Sequence, residues 1–309
     1  MRLITEAEVA AVLDPDSAVT ALRAAFAQHG RGQAQVLARH RATTSHEGAA
    51  LAISAMGAIL AADGDLPAVL GTKVYSARDG KYNFLVSLFS AATGAALATL
   101  EANEFTRLRT AAASAVAADL LALPDAQTLA VFGAGIQGRA HAQALTRVRR
   151  FERVLVCARS GAEAFAAELQ STLGLPVQAV DAAAAASQAD VIATATRSAT
   201  PLFDGALVKP GAFVAAVGSS TASARELDDA LLSRAALIAV EWHTAAQQEA
   251  GDLVQAGPGV ISERVVELGE LIVSPRPRGA QDIVVYKSVG IGLEDVALAR
   301  LVAHRLGAL

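Results

Sequence analysis

The chain has 309 residues, 53% of them apolar and 4% aromatic, with a formal charge of −4. That length supports two domains, each with its own core. A net negative charge without any long basic run argues against nucleic acid as a partner, and apolar stretches such as 111–123 fall short of a membrane span. The single cysteine, Cys157, excludes an intramolecular disulfide framework. The six histidines show no metal-ligand spacing, so no metal is expected. The start, Met1-Arg2-Leu3-Ile4-Thr5-Glu6, lacks the long apolar core of a signal peptide. These features predict a cytoplasmic protein.

Asp14-Pro15-Asp16-Ser17 predicts a helix start, followed by Val19, Leu22, Ala25 and Phe26 at helical spacing. Between about 34 and 101 the pattern changes to strand-like runs, 51–56, 69–76, 84–90 and 95–101. Turn signals at 63–65, 79–80 and 93–94 separate them, which predicts a mainly antiparallel sheet. A long helix is predicted over 104–122, ended by Pro124. Strand and helix then alternate over 128–132, 135–147, 153–158, 161–172, 176–180, 190–195, 212–217 and 237–241. That alternation indicates a parallel sheet with helices on both faces. The alanine-rich 182–186 predicts a short helix, and 288–306 an amphipathic one that could cross back to the first domain.

The most specific motif follows the apolar strand 129–132. It is Gly133-Ala134-Gly135-Ile136-Gln137-Gly138, leading straight into a helical pattern. This is the dinucleotide fingerprint in its required context. Gly133 permits the tight turn, Gly135 lets the backbone approach a pyrophosphate, and Gly138 lets helix and strand pack closely. The helix N-terminus, with Ile136 and Gln137, offers free N–H groups and a positive dipole end to the anion. About 20 residues on, where an NAD site usually carries Asp or Glu, stand Arg159 and Ser160. A guanidinium suits a 2′-phosphate, so NADP(H) is expected over NAD(H), with NAD(H) possible.

Six further segments occur in order: Gly71-Thr72-Lys73-Val74; Leu108-Arg109-Thr110-Ala111-Ala112; Ala193-Thr194-Ala195-Thr196; Ala216-Val217-Gly218-Ser219; Arg225-Glu226-Leu227-Asp228; and Lys287-Ser288-Val289-Gly290 with Glu294-Asp295. With the fingerprint, this ordered set resembles the ornithine cyclodeaminase/μ-crystallin family, from about residue 35 to the end. The resemblance implies an α/β fold with a doubly wound Rossmann domain inserted into an α+β N-terminal sheet domain, completed by a C-terminal helix. Residues 1–115 would bind substrate and dimerise, with 287–309 packing back on them, and 116–286 would bind the dinucleotide. It also implies a homodimer and a small imino or amino acid as substrate.

The family's shared chemistry is hydride exchange between nicotinamide and the α-carbon of an amino or imino acid. By the resemblance, Arg109 and Arg41 would hold the substrate carboxylate, with Arg39 open as the alternative to Arg41. Lys73 would contact that carboxylate or assist proton transfer at nitrogen. Its buried-looking strand agrees, because an ammonium there needs a partner. Thr110, Thr194, Thr196, Val217, Gly218 and Gly290 are expected at the cofactor. The chain departs from the cyclodeaminases where they carry two carboxylates: here Ser220 and Ser54 stand. A hydroxyl cannot replace a carboxylate base near neutral pH, although Glu241 or Asp79 could compensate. The expected activity is NADPH-dependent reduction of a small cyclic imino acid. The alternatives are a cyclodeaminase, an amino-acid dehydrogenase, or a crystallin-like NADPH-binding protein without turnover.

Overall fold

In a computed structural model, which describes residues 1–260 and 262–309, the chain divides into two compact units. One comprises Met1–Arg109 with Gly290–Leu309, the other Thr110–Val289. The divisions fall inside the helix Asn103–Leu121 and beyond the strand Ile283–Lys287, not at 115/116 and 286/287. Hydrogen bonds explain the shift. The Ser114 hydroxyl meets His141 of the fingerprint helix at 3.0 Å, and the Val289 amide donates to Glu241 at 3.1 Å.

The first unit is built on a six-stranded sheet, ordered Arg2–Ile4, Ala96–Glu101, Lys81–Ser90, Val69–Arg78, Ala49–Leu60, Ala34–His46. All pairings are antiparallel except the parallel one between Arg2–Ile4 and Ala96–Glu101. The strands Arg2–Ile4 and Ala34–His46 were not separately anticipated. The helix Pro15–Gly30 begins as its sequence dictates, with Pro15 at its start and the Asp14 carboxylate accepting the Ser17 amide at 2.9 Å.

Directly paired residues share a sheet face, and the ladder gives each face a distinct character. One face carries Leu60, Ala58, Met56 and Ser54 beside Val69, Lys73 and Tyr75, all buried. The other exposes Leu37, Ile53, Ile59, Val74 and Leu85.

The C-terminal helix Gly292–Arg305 packs on the sheet's buried face. Gly292 makes this contact possible, because a Cβ there would strike the Gly57 backbone. The helix starts at Gly292, later than the predicted 288. Ser288 and Val289 are held by Glu241, and Gly290 adopts φ +72, so neither stretch can continue a helical turn.

The second unit is an eight-stranded, all-parallel sheet. Its order is Val265–Glu267, Ala235–Val240, Ile283–Lys287, Phe213–Ala216, Val191–Thr194, Thr128–Phe132, Arg153–Cys157, Val177–Ala179. Its central strands are buried along their whole length, as parallel strands covered on both faces must be. Two of the eight, Val265–Glu267 and Ile283–Lys287, lay outside the predicted pattern. The order reverses between Thr128–Phe132 and Val191–Thr194, and ligands of such sheets collect beyond the strand C-termini at that point. No helix among the described residues is long and apolar enough to cross a membrane.

Candidate active site

The fingerprint lies at this switch point. The strand Thr128–Phe132 ends in Gly133, at φ +109, whose amide donates to the Cys157 carbonyl at 2.9 Å. A Cβ on Gly133 would come within 2.6 Å of the Ala195 carbonyl oxygen, and one on Gly138 would strike the Gly133 carbonyl. Strand, turn and helix therefore close only with glycine at both places. Gly135 differs, because a Cβ there would meet nothing within 4 Å. The glycine leaves room for an approaching group. The helix Ile136–Val148 opens without a side-chain cap, and the Gln137 side-chain oxygen is buried without a hydrogen-bond partner among the described residues. An uncapped N-terminus beside open backbone suits a pyrophosphate, so the residues present fit a dinucleotide.

Arg159 and Ser160 follow the strand Arg153–Cys157 and are both exposed. Arg159 has no hydrogen bond or ion pair among the described residues, which leaves its guanidinium available. Arg139, by contrast, is committed to the fingerprint loop. It pairs with Glu168 at 2.6 Å and donates to the Ala134 carbonyl at 2.6 Å.

The expected contacts Thr194, Thr196 and Gly218 converge on one carboxylate that the sequence did not single out. Buried Glu226 accepts from both threonine hydroxyls and from the Thr196 and Gly218 amides, each at 2.7 Å. Beneath it, Asp252 accepts the Glu226 and Leu227 amides and pairs with buried Lys287 at 2.8 Å; Lys287 also donates to the Ser219 carbonyl. This network fixes the ends of the strands Val191–Thr194 and Phe213–Ala216. Val217 joins it through a backbone bond to Thr194.

The second group of predicted residues gathers in the first unit. Between Leu37 and His40 the ladder shifts register, so Ala38 and Arg39 together oppose Met56. This bulge changes the phase of the strand. Arg39 and Arg41 thereby share the sheet face of Met56, Ser54, Lys73 and Tyr75. Arg41 donates to the Ser54 hydroxyl and the Tyr75 phenol, each at 3.2 Å, and Arg39 donates to the Gly290 carbonyl at 2.8 Å. Burial would raise the Tyr75 pKa, but Arg39, Ser54 and Arg41 outweigh it and hold the phenol below its ordinary value. Gly290, expected at the cofactor, thus lies among the arginines; a Cβ on it would also strike the Arg109 guanidinium. Thr110 is the first residue of the other unit.

Lys73 and Arg109 are buried. The Lys73 ammonium contacts Asp295 and the Thr106 hydroxyl at 2.8 Å each, and lies 4.4 Å from the Phe84 ring centroid. Arg109 meets Glu294 at 2.8 Å and Asp295 at 3.5 Å. Burial is the main cause of a Lys73 pKa lowered to about 8; Arg109 adds to it, and Asp295 and Glu294 oppose it. The sequence offered one signal for these carboxylates. Glu294-Asp295 interrupts an apolar helix, and charges in such a place need partners.

The two residues considered as replacement carboxylates have other duties. Glu241 is buried and accepts from Tyr286, Ser288 and the Val289 amide. Asp79 sits in a turn and accepts the Ala50 amide at 3.0 Å. His141 is buried against Ser114 and Gln137, with its pKa lowered by burial to about 4. The His243 amide donates to Glu267 at 2.8 Å. Cys157 is half-buried, and burial raises its thiol pKa. Among the described residues, no group of three or more His, Cys, Asp or Glu could hold a metal.

A doubly wound dinucleotide-binding unit joined to an antiparallel sheet with an Arg/Lys cluster defines the class of fold. A sequence profile of the ornithine cyclodeaminase/mu-crystallin family matches residues 1–308, and the chain belongs to that family. Among solved structures, it is similar to a probable ornithine cyclodeaminase from Bordetella pertussis Tohama I, with 41% identity and TM-score 0.93 over 100% of this chain and 97% of that one. The iminosuccinate reductase of Paracoccus denitrificans, in complex with NAD+, gives 31% identity and TM-score 0.91 over 100% and 98%. The Δ1-pyrroline-2-carboxylate reductase of Thermococcus litoralis, in complex with NADH and L-proline, gives 28% identity and TM-score 0.88 over 99% and 98%.

Proposed function

We propose that this chain is an NADPH-dependent reductase of a small cyclic α-imino acid, of the Δ1-pyrroline-2-carboxylate or ketimine type, giving the L-amino acid. The observation that carries this reading is the buried Lys73 ammonium, fixed by Asp295 and Thr106 on the sheet face that bears Arg39 and Arg41. Two structurally similar relatives bear imine reductase names.

Gly133, Gly135 and Gly138, with the N-terminus at Ile136 and Gln137, would hold the dinucleotide, whose chemistry when bound would be to supply two electrons as hydride for reduction of the C=N bond. The chain supplies the rest. Arg109, oriented by Glu294 and Asp295, and Arg41, oriented by Ser54 and Tyr75, hold the substrate carboxylate by charge-assisted bonds. An ammonium with a pKa of about 8 is mostly protonated at neutral pH, and can give its proton to the imine nitrogen as the C=N bond is reduced. Asp295 keeps Lys73 oriented and compensates its charge. Positioning of substrate and proton donor then supplies much of the acceleration.

Deamination of ornithine is less well supported. Ser54 and Ser220 cannot act as carboxylate bases, and Glu241 and Asp79 already hold other groups. The preference for NADPH rests on the available Arg159 guanidinium, which matches a 2′-phosphate. The apolar sheet face of Leu37, Ile53, Ile59, Val74 and Leu85 supports a homodimer joined through that sheet.

The test is NADPH oxidation followed by absorbance with Δ1-pyrroline-2-carboxylate, beside an assay for ammonia released from ornithine and NAD. Turnover of the imine without ammonia supports the reading. Ammonia release, or NADPH bound with no imine reduced, overturns it.

A further inference from the structure

Glu226 is fully buried and stands where the ends of two strands meet. It accepts the Thr194 hydroxyl at the end of Val191–Thr194, the Thr196 amide and hydroxyl just beyond, and the Gly218 amide after Phe213–Ala216. All four of these donors are neutral, so they satisfy the carboxylate without cancelling its charge. The buried ammonium of the same network, Lys287, meets Asp252 at 2.8 Å and the Ser219 carbonyl at 2.7 Å. Arg225 pairs with Asp229 at 2.6 Å, and Arg197 is exposed, where water and salt screen it. Within this network, two buried carboxylates against one buried ammonium leave a negative charge in excess.

Position gives that charge a target. The fingerprint strand Thr128–Phe132 lies between Arg153–Cys157 and Val191–Thr194. With Arg159 on the first side facing the adenosine ribose and Gly135 facing the pyrophosphate, the nicotinamide half falls on the second side. There lie the ends of Val191–Thr194 and Phe213–Ala216, which Glu226 ties together. The packing is close. A Cβ on Gly133 would come within 2.6 Å of the Ala195 carbonyl oxygen, one residue from Thr196, and a Cβ on Gly218 would strike the Glu226 carboxylate.

Transfer of hydride from a reduced nicotinamide leaves a unit positive charge on the ring. A fixed negative charge in the interior beside it stabilises that charge as it develops. Resting on the imine-reductase reading for its cofactor, we infer that Glu226 is the buried countercharge for the oxidised nicotinamide. It favours the oxidised over the reduced cofactor and so eases departure of the hydride. No bond forms at Glu226 and it moves no proton. The two electrons still pass to the imine carbon and the proton to nitrogen.

The experiment is calorimetric titration of the full chain, without imine, with NADP+ and NADPH, and with NAD+ and NADH alongside. It is run on the wild type, Glu226→Gln, Asp252→Asn and Thr194→Val. A unit charge acting through protein is worth about tenfold in the affinity of a cation. Glu226→Gln should therefore lower the affinity for the oxidised cofactor, relative to the reduced one, by about that factor. Asp252→Asn removes the same charge at a second place and should move the ratio the same way. Thr194→Val removes a neutral donor and should leave the ratio unchanged, even where both forms bind more weakly. The wild type gives a readout that depends on no variant folding: it should bind the oxidised cofactor at least as tightly as the reduced one. An equal loss of both forms in Glu226→Gln or Asp252→Asn overturns the inference. So does a wild type that binds the reduced form about tenfold more tightly. Because no imine is present, either result leaves the imine-reductase reading standing. Failure to bind any of the four cofactor forms overturns both.

Discussion

The Lys73 ammonium and the Asp295 carboxylate meet at 2.8 Å, with their side chains 1% and 0% exposed. A charge pair removed from water in this way is costly to break, because the surviving partner stays buried without compensation. Asp295→Asn is expected to destabilise the fold by roughly 3–5 kcal/mol. It should also lower the Lys73 pKa further, since it removes the main group opposing burial. Denaturant unfolding together with a pH–rate profile checks both effects.

Reduction consumes a proton, so the protonated form of Lys73 is the productive one. Its pKa lies at about 8, below the ordinary 10.5. Activity should hold below pH 8 and fall as the pH rises through that value. Lys73→Arg should lower kcat and abolish the limb near pH 8, because a guanidinium stays charged and does not release its proton. Lys73→Met should lower kcat by about two to four orders of magnitude. An alkaline limb that stays at the same pH in Lys73→Arg would assign the titration to another group.

Arg159 is exposed beside the fingerprint, at the end of the strand Arg153–Cys157. Arg159→Gln is expected to weaken NADPH binding by about one to two orders of magnitude while leaving NADH affinity almost unchanged. Arg159→Asp should reverse the preference by offering an acceptor to the ribose 2′-OH. Fluorescence titration of both cofactors measures the ratio.

His141 illustrates a different linkage. Burial lowers its pKa from 6.5 to about 4, so the unfolded chain takes up a proton before the folded one does. Its contribution to stability is complete above pH 6.5 and declines as the pH falls towards 4, by on the order of 3 kcal/mol in total. Thermal unfolding of the wild type between pH 7 and pH 4 should show that decline. His141→Gln, which cannot titrate, should show a shallower one.

The fold was legible in the sequence where the signal is local. The fingerprint places its glycines within six consecutive residues, and the Asp14-Pro15 helix start lies within one turn. The alternation of strand and helix gave most of the parallel sheet for the same reason. The candidate site was less legible because its geometry depends on distant residues. Lys73 and Asp295 are separated by 222 positions, and no periodicity reports such a contact. The choice between Arg39 and Arg41 stays open in the sequence because residues two apart on a strand line the same face. In the structure both residues take the same face. Glu226 was visible only as part of a family segment. Its role as acceptor for Thr194, Thr196 and Gly218 needs the turn between the strands to be folded.

The most direct test of the central claim is to follow the hydride. Wild-type protein is incubated with Δ1-pyrroline-2-carboxylate and NADPH deuterated at C4 of the nicotinamide, and the product is examined by mass spectrometry and NMR. The expected result is L-proline with one deuterium at the α-carbon and no ammonia in the mixture. Proline without deuterium, or no proline while NADPH remains bound, would contradict the account.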